Sequence, residues 1–386
     1  MSARLGIIGG GQLGLYLCEA AQALGMQVCI LAEAADAVAL QRADRAIVGD
    51  LDSALALDQL LAASDVITFD KEAVPDAALH YLIEVHSRAG VAIFPRAETL
   101  LMLKDKALQK DWLQRHALPT LPFHTVSGKA GLGELPVAML GTAVVQKARC
   151  GGYDGRGVQI LPALAAAQLW DVPSIVEPYL PDCGEIAVIA VRDQAGAVRM
   201  YPPVAMEFDP QLNSVRTVSM PAAISPALGA AALALAERTV TLMGGVGVFA
   251  VEMFITPGDE LLINEISPRV HNSGHITLDA CNVSQFEQHV RAVAGLPLVI
   301  IVTGPPAAMV NILFSEGLRE NCPDKPLAVK LADPHTSVYW YGKPPGKAGR
   351  KMGHINAVAG SAALALALAH KTMVRLSAHG NIGQAA

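Results

Sequence analysis

At 386 residues, with a hydrophobic share of 52% but an aromatic share of only 5%, the chain can bury two or three cores made mostly of aliphatic side chains, which excludes disorder and low-complexity character. A net charge of −6 with 29 basic residues spread along the chain gives nucleic-acid binding little electrostatic support. No apolar run reaches the roughly 20 residues of a membrane span, and six cysteines without a Cys-x-x-Cys pair argue against a disulfide framework or a zinc site and for reduced thiols.

In chain order, Arg4–Ile8 reads as a buried strand, so no secretory leader is expected. Gln12–Leu24 has helical apolar spacing and stops at Gly25. Strands at Gln27–Leu31, Val66–Phe69 and Val91–Phe94 alternate with helical stretches. This alternation predicts a parallel sheet with helices on its faces, one doubly wound domain over residues 1 to about 100. A lysine-rich helix is expected over Leu100–His116. After the Pro119–Pro122 break come short β-runs at Ala143–Lys147, Ser174–Glu177, Ile186–Val191 and Val198–Val204, then a long Ala/Leu helix over Ile224–Met243. Val248–Ile255 and Glu260–Ile266 flank Pro257-Gly258-Asp259 as a hairpin. From about 305 onward Pro and Gly increase, which marks a smaller C-terminal unit.

Gly9–Gly14 satisfies G-x-G-x-x-G between strand and helix, and Glu33 ends the next strand. That pattern suits a dinucleotide, another phosphate ligand, or a turn that needs glycine on steric grounds alone. Lys147–Gly157 carries four glycines within seven residues behind a strand that ends in a lysine. Such a loop can surround an anion with amide donors and with the cations Lys147 and Arg149, or it can be a surface turn. Pairing Ile255 with Glu260 would set Glu252 opposite Ile263, with Glu265 a diagonal neighbour on the same face. Two carboxylates held together repel unless a cation joins them, and hard oxygen ligands suit Mg²⁺ bound with nucleotide phosphates. The alternative is two solvated acids. Asn264 is expected to point to the opposite face. His271 and His275 have i,i+4 spacing, but the flanking Pro and Gly favour a polar recognition loop over zinc. Arg350 and Lys351, between glycines, suit a phosphate or a plain basic turn.

Taken in order, Gly6–Gly14 (GIIGGGQLG), Gly151–Gly157 (GGYDGRG), Asn264–His275 (NEISPRVHNSGH), Ser284–His289 (SQFEQH) and Gly349–Ile355 (GRKMGHI) resemble the ATP-grasp superfamily, and within it the N5-carboxyaminoimidazole ribonucleotide synthetase family. The resemblance implies an α/β and α+β architecture. Residues 1–100 would be a Rossmann-like (pre-ATP-grasp) domain. Residues 101–300 would be an ATP-grasp domain with a small mobile lobe at about 115–173 and a large lobe at about 174–300. Residues 301–386 would be a small C-terminal domain. By motif position Lys106 and Lys147 would contact ATP phosphates, and Gly152, Tyr153, Asp154, Gly155, Arg156, Gly157 and Val158 would close over them. Glu177, Pro178, Tyr179 and Leu180 would form the adenine hinge and Glu185 would hold the ribose. Glu252 and Glu265 would bind Mg²⁺ (two ions) beside Asn264. Gly11, Gln12, Leu13, Tyr153, Arg269, His271, Asn272, Lys343, Arg350 and Lys351 would surround 5-aminoimidazole ribonucleotide, with Asp154, Arg269 and Lys351 acting in catalysis.

The resemblance also implies an enzyme that makes carboxyphosphate from ATP and bicarbonate and transfers the carboxyl to the ribonucleotide amine in purine biosynthesis. It would be a cytoplasmic homodimer coupled in function to the mutase that uses its product. The chain departs from the family pattern at Phe69-Asp70-Lys71-Glu72-Ala73, at Lys106 in place of an arginine, and at Ala205 and Phe208, the latter where a histidine is expected near ATP. A formate-dependent glycinamide ribonucleotide transformylase is the related alternative. A nicotinamide-dependent dehydrogenase is the unrelated one, and it would leave the 147–157 loop and the glutamate pair without a role.

Overall fold

A computed structural model describes residues 3–136, 139, 141–152, 157–163, 169–209, 212–314, 327–330, 335–344, 346 and 349–379. The N-terminal part is a parallel sheet in the order Arg45–Val48, Gln27–Ala32, Arg4–Ile8, Val66–Phe69, Ala92–Ile93. Its central strands are apolar apart from Arg4 and Gln27 at their first positions and Thr68, and Leu5, Ile7, Ile8, Ile30, Leu31, Ile67 and Phe69 are fully buried, as a sheet covered on both faces requires. Strand order reverses between Arg4–Ile8 and Val66–Phe69. The carboxyl ends of these two neighbours therefore frame the crevice where such sheets bind ligands.

The single helix expected over Leu100–His116 is two helices, Ala97–Lys104 and Lys106–Arg115. Asp105 interrupts them. Its backbone is extended and its carboxylate accepts the Ala107 amide at 2.9 Å, so a residue read as mid-helix serves as an N-cap. The helix Pro226–Met243 has the expected punctuation: Ser225 accepts the Leu228 amide at 3.2 Å, Pro226 opens the first turn, and Gly244 closes it at φ 66°.

Two antiparallel sheets follow. The smaller runs His124–Val126, Ser174–Pro178, Val144–Ala148, Val158–Leu161, so strand Ser174–Pro178 lies in it and the boundary expected at 173/174 falls within a sheet. Among the described residues the larger has ten strands, one of them, Val198–Met200, paired to Gly184–Arg192 beside the main path. It starts at the edge strand Leu261–Ser267, passes through Gly247–Ile255, Gly184–Arg192, Val204–Asp209 and Ser214–Met220, and continues through Ala307–Leu313, Lys351–Val358, Thr336–Trp340 and Leu327–Lys330. The run expected over Val198–Val204 is split by Tyr201-Pro202-Pro203 into Val198–Met200 and Val204–Asp209. Pairing of Ser214–Met220 with Ala307–Leu313 joins the C-terminal strands to the central ones in one sheet.

The helix Pro226–Met243 covers one face of this sheet over Ile186, Val188, Phe249 and Val251, each 0–1% exposed. Each such side chain contributes about 1.5–3 kcal/mol by burial. A further cluster takes Leu13 and Tyr16 from the N-terminal domain, Ile189, Val248 and Phe286 from the centre and Tyr341 from the C-terminal strands, so one core spans all three regions.

Candidate active site

The hairpin differs from the regular alternation that its sequence suggests. Ile255 pairs with Leu261, and a bulge between Glu252 and Met253 skips Asn264, so Glu252 and Glu265 stand directly opposite one another. An inserted residue turns the strand locally and re-aims its side chains. Asn264 therefore reaches the site after all, accepting a hydrogen bond from Lys147 Nζ at 2.8 Å.

The carboxylates here are matched by cations from other elements. Lys106 Nζ lies 2.6 Å from Glu265 Oε2. Burial would raise the Glu265 carboxyl, but the Lys106 ammonium, with Lys147 and His271 behind it, holds it below the usual carboxylate range. Glu177 is 1% exposed and sits between Lys110 at 2.6 Å and Lys147 at 2.7 Å. Burial works against its charge, yet the two lysines hold it down at about 2. Burial in turn lowers Lys110 to about 8 despite the carboxylate beside it. Burial and the nearby Glu252 push Glu185 up to about 7.

Around the glycine-rich loop, Val158 pairs with Lys147, and the Ala148 amide donates to Gly157 O at 2.8 Å. Tyr153, Asp154, Gly155 and Arg156 lie outside the described residues. The Arg149 guanidinium does not face an anion site. It is held by both oxygens of Asp105, at 2.6 and 3.0 Å. In the segment expected as the adenine hinge, Glu177 turns inward to its lysines and the Tyr179 amide donates to Ala143 O at 3.0 Å, while Pro178 is exposed and Leu180 half-buried.

On the opposite side, His271 Nδ1 accepts the Ser273 amide at 3.3 Å, which assigns the ring proton to Nε2, 3.0 Å from Glu252 Oε1. Arg269 Nε lies 2.7 Å from Glu72 Oε2. Asn272 and Asn311 exchange hydrogen bonds through their amides at 2.8 and 3.0 Å. His275 does not join His271 as a metal pair. It is fully buried and stacks on His354 with ring centroids 4.7 Å apart, flanked by Phe286 and Tyr16. Lys351 is buried, Lys343 donates to Lys351 O at 3.0 Å, and Arg350 donates to Pro344 O at 3.0 Å.

The SQFEQH segment is scaffold. Gln285 accepts the His271 amide at 2.9 Å and donates to the His271 carbonyl at 2.6 Å. His289 Nδ1 accepts the Val248 amide at 3.0 Å, and its other nitrogen meets Thr68 at 2.7 Å, tying the N-terminal sheet to the central one.

In the N-terminal domain the fingerprint groups are occupied from within. Asp70 accepts the Gly11 and Gly14 amides at 2.6 and 3.3 Å, and Glu33 pairs with Lys71. The dehydrogenase alternative thus loses both groups it relied on. Gln12 is half-buried and Leu13 buried at the start of the helix Gln12–Ala23. Phe208 is half-buried and packs against the cluster holding Met206, Val215, Val218 and Met309.

Sequence reasoning missed Lys110, Asp105 and Asn311 as partners in the site and left Asp70 and Glu72 as mere departures. The i,i+4 spacing of Lys106 and Lys110 signals one helix face with two cations. For Asn311 there was no local signal.

Family models match in sequence along the chain: a ribonucleotide synthetase preATP-grasp domain over residues 2–104, an ATP-grasp domain over 111–286, and a phosphoribosylaminoimidazole carboxylase C-terminal domain over 307–367. The chain is 41% identical over 359 residues to the N5-carboxyaminoimidazole ribonucleotide synthase of Synechococcus elongatus, covering 91% of this chain and 88% of that one. Among solved structures it is similar to the N5-carboxyaminoimidazole ribonucleotide synthetase of Thermotoga maritima (TM-score 0.82, 34% identity, 96% of this chain and 97% of that one). It is equally similar to the Aspergillus clavatus N5-carboxyaminoimidazole synthase solved with ADP and 5-aminoimidazole ribonucleotide (TM-score 0.82, 29% identity, 98% and 99%). With its fold and its paired-glutamate hairpin, the chain belongs to the N5-carboxyaminoimidazole ribonucleotide synthase family of ATP-grasp ligases.

Proposed function

We propose that the chain uses ATP to join bicarbonate to the exocyclic amine of 5-aminoimidazole ribonucleotide, giving N5-carboxyaminoimidazole ribonucleotide, ADP and phosphate in purine biosynthesis. The observation that carries this reading is the facing pair Glu252–Glu265, with Lys106, Lys147 and Asn264 gathered on it. Two carboxylates and an amide oxygen are hard donors, and such a set fits Mg²⁺, which takes one or two protein carboxylates and completes its shell with phosphates and water. When bound, Mg²⁺ would supply charge neutralisation for the triphosphate.

The residues of the chain do the rest. Glu265 and Glu177 already hold lysines, so entry of ATP is an exchange. Lys106 and Lys147 move from Glu265 and Glu177 toward phosphate oxygens, and Glu185 accepts from the ribose. A bicarbonate oxygen attacks the γ-phosphorus and the bond to ADP breaks, a transfer governed by alignment and charge. The amine nitrogen then bonds to the carbonyl carbon of carboxyphosphate, or of CO₂ released from it. Phosphate leaves with the C–O electron pair, and the nitrogen gives up a proton. We assign Arg269 and Lys351 to the substrate side with His271, Asn272, Lys343 and Arg350, the last two with Lys351 toward its phosphate. Asp154 is proposed to receive the amine proton and Tyr153 to face the ribonucleotide. The intermediate hydrolyses, so water must be kept out while it lasts.

The product is a carbamate that loses CO₂ in water, which favours functional coupling to the mutase that consumes it. A cytoplasmic homodimer completes the proposal. No helix among the described residues is long and apolar enough to cross a membrane. The test is ADP release with each co-substrate withheld in turn. Release that needs both bicarbonate and the ribonucleotide supports the reading, and release that needs neither, or that responds to formate, refutes it.

A further inference from the structure

Strands Arg4–Ile8 and Val66–Phe69 run in register, Ile8 beside Phe69, so the glycine turn and the segment 70–72 leave the same edge of the sheet. Asp70 is 4% exposed. Its Oδ2 accepts the Gly11 amide at 2.6 Å and the Gly14 amide at 3.3 Å. The turn is shaped around it: a Cβ at Gly9 would fall 1.6 Å from Oδ1, and one at Gly11 or Gly14 would fall 3.0 Å from Oδ2. Amides arranged this way at the start of a helix ordinarily receive a phosphate. Here the chain's own carboxylate takes that position, with Lys71 and Arg269 as the nearby cations. Two residues on, Glu72 holds Arg269 at 2.7 Å.

We propose that Asp70 is a positioning residue of the ribonucleotide site: its carboxylate stands in for phosphate in the glycine turn, bars a dinucleotide from it, and fixes Gly11–Leu13 and the Glu72–Arg269 pair as two walls facing the substrate. This rests on the reading of the pocket given above. Deleting the carboxylate leaves the Gly11 and Gly14 amides as unpaired donors that a free carboxylate can occupy.

The experiment compares Asp70→Ala and Asp70→Asn with the wild-type chain. Without substrates, sodium formate should raise the Tm of D70A and leave the wild type unmoved, at equal ionic strength in chloride. In turnover, D70A should raise KM for 5-aminoimidazole ribonucleotide about tenfold while KM for ATP stays within about twofold, and formate should recover most of that loss. D70N keeps an oxygen acceptor and should show a smaller rise in the same KM. Absence of a formate-dependent Tm shift in a folded D70A, or a parallel rise in both KM values, overturns the proposal. If D70A does not fold, an unchanged ribonucleotide KM in D70N overturns it. Failure of the wild type to require the ribonucleotide for ADP release is a separate result: it refutes the pocket reading, while the formate shift still reports on the cradle.

Discussion

Two glycine-rich turns follow strands in this chain, and they are built for opposite purposes. At Gly9–Gly14 the glycines are required by what they enclose. A side chain at Gly9 would strike the Asp70 carboxylate, and the helix-start amides of Gly11 and Gly14 are already bonded. At Gly151 a Cβ would meet nothing within 4 Å, and glycine is called for by a φ of +78° alone. The strand before this second turn, Val144–Ala148, carries Lys147, whose ammonium sits on Glu177 and Asn264. The first turn is filled by a carboxyl of the chain itself, which burial raises and the Gly11 and Gly14 amides hold back. The second sits beside Lys147, whose present partners the proposed function exchanges for phosphate. A glycine-rich motif after a strand signals an anion in both cases, and the neighbouring side chains decide whether that anion is a residue or a ligand.

The sharpest way to break this contrast is at the exchangeable end. Glu265→Ala should lower ATP turnover by at least about 10³-fold, because it removes a proposed metal ligand and leaves Lys106 without its carboxylate. Its Tm should fall less than that of Lys110→Met below, since Glu265 is half-buried on an edge strand and Glu252 still acts on Lys106. Turnover of ADP release within tenfold of the wild type would remove the metal role. Next in size is Lys110→Met. Lys110 and Glu177 are 3% and 1% exposed at their side chains, and removing one member of a buried pair costs about 3–5 kcal/mol. The expected result is a lowered Tm together with a raised KM for ATP, as Lys147 is left the sole counter-ion of Glu177. The double variant Lys110→Met, Glu177→Gln should regain stability. If it is less stable than Lys110→Met alone, the triad is not the cause.

A smaller effect is expected from Gln285→Ala, which deletes the two hydrogen bonds from its side chain to the backbone of His271. Loss of this support should lower kcat/KM for the ribonucleotide about tenfold with KM for ATP unchanged, in the range typical of residues that orient a ligand-contacting side chain. Equal losses for both substrates would show that Gln285 merely holds the fold.

What was legible in the sequence follows from which signals are local. Four of the five N-terminal strands are readable because parallel strands are short, apolar runs between helices, whereas the edge strand Arg45–Val48, exposed at three of its four positions, offers no such run; the hairpin is readable because Pro257-Gly258-Asp259 marks its turn. The bulge at Asn264 was not readable, since strict alternation was assumed and one extra residue changes which side chains face the site. Asp105 looks mid-helical in the sequence because capping depends on backbone conformation, not on residue type alone. The union of Ser214–Met220 with Ala307–Leu313 joins segments nearly 90 residues apart, and no local pattern encodes such a pairing. Within the candidate site, Lys147, Glu252 and Glu265 stood out through residue type and position. Lys110 and Asp70 acquire their roles only through partners distant in sequence.

The least perturbing test concerns Glu185, a carboxyl of the exchangeable pocket that has no ion pair among the described residues. Burial and Glu252 raise it to about 7, so between its ordinary value and pH 7 the folded chain holds a proton that the unfolded chain has lost. By linkage, that contribution makes stability fall as pH rises through this window and then level off. Glu177, held at about 2, has the opposite sign: its contribution is present above the ordinary carboxylate range and is lost as pH falls toward 2. Glu185→Gln should therefore raise the Tm of the nucleotide-free protein by about 2 °C at pH 8 and leave it unchanged at pH 5. ADP should erase the advantage, since the proposed ribose hydroxyls give the wild-type carboxylate the donors it lacks. If the gain persists with saturating ADP, Glu185 does not hold the ribose.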